Sequence, residues 1–131
     1  MTHYKVYCQP IVKKNMKRTG VSKNGKPYMY TDPRYAKWEK EVSEELFLQK
    51  TKHGFDEWGE LCWAKITIYR HGNREADMAG CIESVQDALE RARCITNDGL
   101  IKSLDGSRIY HGVPKEEARF EVTLCPFMEE G

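Results

Sequence analysis

Asp77, Glu83, Asp87 and Asp98 bring carboxylates into one short stretch of this sequence, on and at either side of a run of helical spacing. Between the first and the last, apolar residues recur at Ile82, Val85, Leu89 and Ala92, the spacing of one buried stripe on an α-helix that begins at Met78 or Ala79. Ala79, Glu83 and Asp87 step by four along a different face. Side chains four apart on a helix have Cβ atoms about 6 Å apart, so Glu83 and Asp87 form a vertical carboxylate pair, with Asp77 just before the first turn. Like charges at that spacing repel mildly, so something positive is expected nearby. The choices are basic side chains, which would be structural, or a divalent metal, which would be functional. Asp98 lies in the turn-like Asn97-Asp98-Gly99, where a return loop could swing it back beside the strand that delivers Asp77.

A hard ion such as Mg²⁺, with Mn²⁺ as a substitute, takes oxygen ligands at about 2.0–2.1 Å and keeps several waters, so two or three carboxylates suffice to hold it. The plainer reading of the same residues is structural. Asp77 can be a helix N-cap, Glu83 and Asp87 a solvated face, and Asp98 the shaper of its turn. His71 and His111 flank the region and read as locally hydrogen-bonded side chains rather than ligands.

The elements that must position these residues follow from pattern. Residues 3–9 alternate Tyr4, Val6 and Cys8 against His3, Lys5, Tyr7 and Gln9, a strand stopped by Pro10. From Pro10 to Asp32 no helical period fits, and six Lys or Arg are interleaved with Tyr28 and Tyr30. A long loop of this kind in a compact domain is functional or disordered, and this one suits phosphate and exposed bases. Asp32-Pro33 predicts a helix start, Tyr35, Trp38, Val42 and Leu46 its buried face, and His53-Gly54 its end after about Lys52. Glu60 to Arg70 reads as a long central strand. After Asp98, Leu100, Ile101 and Leu104 predict a strand, Asp105-Gly106 a turn, and Arg108-Ile109-Tyr110 a short return. Residues 117–125 alternate as a final strand, with the tail from Pro126 frayed. Arg108, beside its turn, could meet a phosphate. The order predicts an α+β domain, a mixed sheet with two main helices packed on it.

Length and composition are consistent with one domain over residues 1–131. With 131 residues and 40% hydrophobic content, a chain buries roughly two thirds of its unfolded surface. The five cysteines are scattered without a Cys-x-x-Cys pair, which argues against a disulfide framework or a zinc ribbon and for reduced, cytoplasmic thiols. No apolar run approaches the length of a membrane span, and the first residues lead into a strand rather than a signal peptide. The net charge of +1 hides an asymmetry. Residues 1–40 hold ten Lys and Arg against only Asp32 and Glu39, and the remainder is acidic. A basic arm beside an acidic centre suits a protein that grips a polyanion, and equally lysines that fill a solvated loop.

Taken together, these residues resemble the RusA family of Holliday junction resolvases, many of them carried by phages and prophages. The resemblance rests on a strand ending in basic residues, an Asp, the helix Glu83-Ser84-Val85-Gln86-Asp87-Ala88-Leu89 and then Asn97-Asp98, together with an early basic loop and Tyr35-Ala36-Lys37-Trp38. It covers nearly the whole chain, and the order and spacing of short motifs carry it. It implies a RusA-like fold and Mg²⁺-dependent endonucleolytic cleavage of phosphodiesters at four-way junctions and other branched DNA, in recombination and repair, by a homodimer in the bacterial cytoplasm. Asp77 matches the first family aspartate, Asp87 the helix aspartate and Asp98 the second of an Asp-Asp pair. Ala79 stands where the family has a second metal-binding aspartate, Gly80 where it has Asn, Glu83 where it has a catalytic lysine, and Asn97 where it has the other Asp.

A repair of the site is available in the sequence. Glu83 lies one turn beyond Ala79 on the same face and could reach a metal beside Asp77, so Asp77, Glu83 and Asp98 are expected to act as catalytic metal ligands, with Asp87 a further one. Such an ion would neutralise charge on the phosphate and lower the pKa of a bound water. With the family lysine replaced, Lys102, Arg74 and Arg70 are the nearest sources of positive charge. The phosphate contacts are expected from Lys13, Lys14, Lys17, Arg18, Arg70 and Arg74, with Lys102 beside them. The alternative is a protein of the same fold that binds junctions and has lost or weakened the chemistry.

Overall fold

The computed structural model describes residues 1–12, 17–73 and 76–128, and only the backbone of Lys17, Arg18 and Thr31. In chain order the elements are β1 (Thr2–Val6), β2 (Lys17–Val21), β3 (Pro27–Thr31), α1 (Pro33–His53), β4 (Cys62–His71), α2 (Met78–Arg91), β5 (Ile101–Ser103), β6 (Arg108–Val113) and β7 (Arg119–Pro126). Single 3₁₀ turns at Asp98–Leu100 and Lys115–Glu117 precede β5 and β7.

Five strands form one mixed sheet in the order β1, β7, β4, with β5 and β6 sharing the far edge of β4. β7 runs antiparallel to β1 and to β4, whereas β5 and β6 both run parallel to β4. β5 joins the start of β4 at Cys62 and β6 its later half, from Thr67 to His71. The chain is therefore α+β, with a mixed sheet and two helices.

Strict alternation decides which face is buried. Cys62, Ala64, Ile66 and Ile68 of β4, Phe120, Val122 and Leu124 of β7, and Tyr4 and Val6 of β1 are buried in one cluster with Tyr35, Trp38, Val42 and Leu46 of α1 and Ile82, Val85 and Leu89 of α2. Burying an aliphatic side chain of this kind contributes about 1.5–3 kcal/mol. The residues between them, from Trp63 and Tyr69 to Arg119 and Lys5, are partly or fully exposed, so both helices cover a single face.

The helix boundaries follow their predicted signals. The Asp32 carboxylate accepts from the Arg34 amide at 2.8 Å, Pro33 occupies the first turn, and Gly54, at φ 67°, closes α1 with its amide donating to Lys50 and Thr51 carbonyls. Ala92 ends α2.

Four expectations need correction, one of them the short return at Arg108–Tyr110: β6 runs parallel to β4, as β5 does, so the chain continues along the same edge after the Asp105-Gly106 turn instead of doubling back. The first strand stops at Val6, because the Cys8 amide turns back to the Val6 carbonyl at 2.9 Å. The stretch from Pro10 to Asp32 is not without structure, since β2 and β3 pair antiparallel as a separate ribbon turned at Ser22–Lys26, with Gly25 at φ 77°. Its residues are almost all solvent-facing, so no buried face marked it as strand. The tail is held past Pro126, where the Phe127 amide donates to the Leu61 carbonyl at 3.1 Å.

Candidate functional site

At the N-terminus of α2, polar side chains from three elements converge on the chain around Val12. Asp77 caps the helix, with Oδ1 accepting from the Gly80 amide at 3.2 Å. Gly80 is buried because Val12 lies against it: a Cβ there would stand 2.6 Å from Val12 Cγ1 and 3.2 Å from Asp77 Oδ2. Only glycine fits such an approach without displacing its neighbour.

Three side chains hold the chain in front of Val12. The Trp38 indole of α1 donates to the Gln9 carbonyl at 2.9 Å, Arg70 Nη1 of β4 donates to the Pro10 carbonyl at 3.4 Å, and the Ser84 hydroxyl of α2 donates to the Ile11 carbonyl. Gln9 answers with its own side chain, accepting from the His71 amide at 2.7 Å. The basic run that starts at Lys13 thus departs from a fixed point beside Asp77.

Arg70 is partly buried, with Nη1 also 3.9 Å from Cys81 Sγ. Burial raises the Cys81 thiol pKa, and the Arg70 guanidinium opposes that rise. Arg70, expected among the phosphate contacts, thus also holds the Pro10 carbonyl just before the basic run. His71 Nδ1 lies 3.0 Å from the Val113 carbonyl, 42 residues further along the chain.

The other acids are placed apart. Glu83 is exposed, and it shares the outward side of α2 with Ala79, as the spacing predicted. Asp87 is half-buried where α2 meets α1, in a hollow lined by Glu39, Glu90 and Arg91. Arg91 Nη1 lies 3.3 Å from Glu39 Oε1, so a cation stands in this acidic hollow. Asp98 is exposed beyond the C-terminal end of α2, in the turn that leads to β5. The side chain that shapes that turn is Asn97, whose Oδ1 accepts from the Gly99 amide at 2.6 Å.

The expected return of Asp98 to the side of Asp77 does not occur within one chain. Asp77 follows the end of β4, whereas Asp98 precedes β5, which pairs with the beginning of β4. The 14 residues of α2 rise about 21 Å between them. A parallel crossover has to carry the chain back along the full length of the first strand before the next can start. Among the described residues, no three acidic, imidazole or thiol groups are placed to hold a metal ion. Among the described residues, Asp77 and Asp98 of one chain are therefore not brought to one ion.

Of the expected phosphate contacts, Lys13, Lys14 and Arg74 lie outside the described residues. Lys17 and Arg18 are at the start of β2, described as backbone only. Lys102 is exposed on β5, at the Asp98 end of α2. The ribbon carries Tyr28 and Tyr30 on one side with ring centroids 5.8 Å apart, 49% and 42% exposed. Tyr28 lies across Gly20, its register partner, whose absent Cβ makes room for the ring.

One group went unrecognised in the sequence. On the uncovered sheet face, Tyr110 of β6 stacks on Tyr69 of β4 at 5.2 Å and 13° between planes, and the Arg119 guanidinium of β7 lies 3.8 Å over the other side of Tyr69. Arg119 is held by Glu121 at 2.8 Å, which raises its pKa. The outward alternation of Tyr69 and Arg119 was a signal, but their adjacency depends on strand order. No helix among the described residues is long and apolar enough to cross a membrane. Compared with known families and curated proteins, the chain matches no family model and no curated sequence.

Proposed function

We propose that this chain binds branched DNA and cuts it as a metal-dependent, crossover-junction endonuclease of the RusA type, working as a two-fold homodimer. The observation that carries this reading is the position of Val12 against Gly80: the residue that immediately precedes the basic run stands beside Asp77, so a phosphate backbone gripped by that run would be presented to that carboxylate. Phosphate contacts from such an arm position DNA without reading its sequence. The Tyr28–Tyr30 ribbon follows the arm directly and offers two exposed rings to unpaired bases at a branch point.

The carboxylates require the dimer. In an isologous pair with the two α2 helices antiparallel, Asp77 of one chain faces Asp98 of the other, and the separation inside each chain becomes proximity between chains. Glu83 and Asp87 lie along the same helix between those ends. The cleaved bond, the recombination and repair setting and a phage origin follow from the resemblance in motif order alone.

A second reading is favoured by two positions. Ala79 stands where the family has a ligand, and the Asn97 side-chain oxygen already accepts from the Gly99 amide. On this reading the protein holds junctions without cutting them. Incubating the full chain with labelled four-way junctions and linear duplex, in Mg²⁺ or in EDTA, separates the two. Nicks at the junction in Mg²⁺ alone support the nuclease; junction binding without metal-dependent nicks leaves the binding protein.

A further inference from the structure

The five-stranded sheet has one face packed under α1 and α2 and another that none of its outward residues buries. Uncovered faces of antiparallel and mixed sheets are normally polar. This one instead carries a column of flat groups running across three strands, Arg119, Tyr69 and Tyr110, with centroid separations of 3.8 and 5.2 Å.

The column is closed at one end and open at the other. At the β7 end Arg119 is fixed by Glu121, and its Nη1 donates to the Glu117 carbonyl at 2.8 Å. At the β6 end Tyr110 stands on an edge strand, 41% exposed, with one ring face on Tyr69 and no described aromatic on the other. A further flat ring of the same thickness would extend the stack there. Arg108 donates to the Tyr110 hydroxyl at 3.4 Å, and Lys65 and Lys5 are exposed on the same face. Among these residues the charge is positive, with Glu121 already spent on Arg119. An aromatic face ringed by cations is complementary to a strand that is itself a chain of flat bases on a polyanion.

We propose that this sheet face binds single-stranded DNA, with one unpaired base stacked on the free face of Tyr110 and the flanking phosphates held by Arg108 and Lys65. The kind of strand rests on the DNA role proposed above, and the surface is the sheet face opposite to the one that α1 and α2 cover. It gives the protein a second contact for strand that a branch point leaves unpaired.

The test uses the full chain with a fluorescent oligothymidylate, followed by anisotropy, alongside a gel shift on a four-way junction. Tyr110→Leu, at an exposed edge position, is expected to weaken oligothymidylate binding about tenfold, within the range of one base–aromatic stack. Arg108→Glu is expected to lower both the affinity and its dependence on salt. Iodouracil placed in the oligonucleotide is expected to photocrosslink to Tyr110. Oligothymidylate binding unchanged by Tyr110→Leu, or crosslinks confined to Tyr28 and Tyr30, overturns the proposal while the junction shift persists. If the wild-type chain binds the junction but no single strand, the sheet-face site is wrong and the DNA role stands. If it binds neither, both fall. A dimer dispersed by Tyr110→Leu, without oligonucleotide binding, assigns the face to a second copy and likewise overturns it.

Discussion

Asp77 and Asp98 stand beyond opposite ends of α2, one capping its first turn and the other in the loop after its last, with 14 helical residues between them. A site that uses both must therefore draw them from two chains. Mixing Asp77→Asn chains with Asp98→Asn chains tests this directly, because a two-fold heterodimer then holds one site with both carboxylates and one with neither. Each variant alone is expected to be inactive on junctions, and random mixing to restore on the order of a quarter of wild-type nicking. Two inactive parents whose mixture stays inactive, despite proven exchange of chains, would sink the two-chain site.

Asp77 also has a purely structural task, and the two roles separate by substitution. Asp77→Ala removes the acceptor for the Gly80 amide and is expected to lower stability by about 1 kcal/mol. Asp77→Asn keeps an acceptor for the Gly80 amide and removes the favourable charge at the helix N-terminus, about 0.5 kcal/mol. Urea unfolding measures both, and a loss from Asn as large as that from Ala argues against the cap. Cleavage, in contrast, is expected to vanish in both.

Gly80→Ala is expected to destabilise although alanine favours helix by about 1 kcal/mol. The new Cβ would meet Val12 Cγ1 at 2.6 Å, and moving the clamped Gln9–Val12 segment costs about 1–3 kcal/mol, typical of overpacking. Adding Val12→Ala should recover most of the loss, a coupling that a double-mutant cycle reads out. A Gly80→Ala chain more stable than wild type would show that Val12 yields freely.

The cysteines divide by burial. Cys62, Cys81 and Cys94 are fully enclosed, and burial raises the pKa of each thiol, which lowers the thiolate fraction that reacts near neutral pH. Cys8 and Cys125 are half-exposed. Titration with a disulfide reagent under native conditions is expected to modify Cys8 and Cys125 first, the other three responding only on unfolding. Early labelling of Cys81, mapped by mass spectrometry, would mean that α2 opens readily from the sheet.

Much of the architecture was legible because it is local. The stripe Ile82, Val85, Leu89 has helical period, Asp32-Pro33 and Gly54 are end signals with a mechanism, and the alternation in residues 117–125 names the buried side of β7. The ribbon of β2 and β3 was missed because its residues face solvent on both sides, so no alternation of buried and exposed positions marks it. The contacts of Arg70 with the Pro10 carbonyl and Cys81 were not legible, because those partners lie 60 and 11 residues away in the chain.

The amino-acid sequence by itself determined where α2 begins, which of its faces is buried and that carboxylates lie at both of its ends, since these depend on side chains within a turn or two of one another. Only the tertiary structure decided how far apart those ends act and which outward residues become neighbours. The crossover from β4 to β5 is parallel, so it separates Asp77 from Asp98, and the strand order β7, β4, β6 sets Arg119, Tyr69 and Tyr110 in one stack. Pairing of strands far apart in the chain depends on the sum of all packing in the core, which no local pattern encodes.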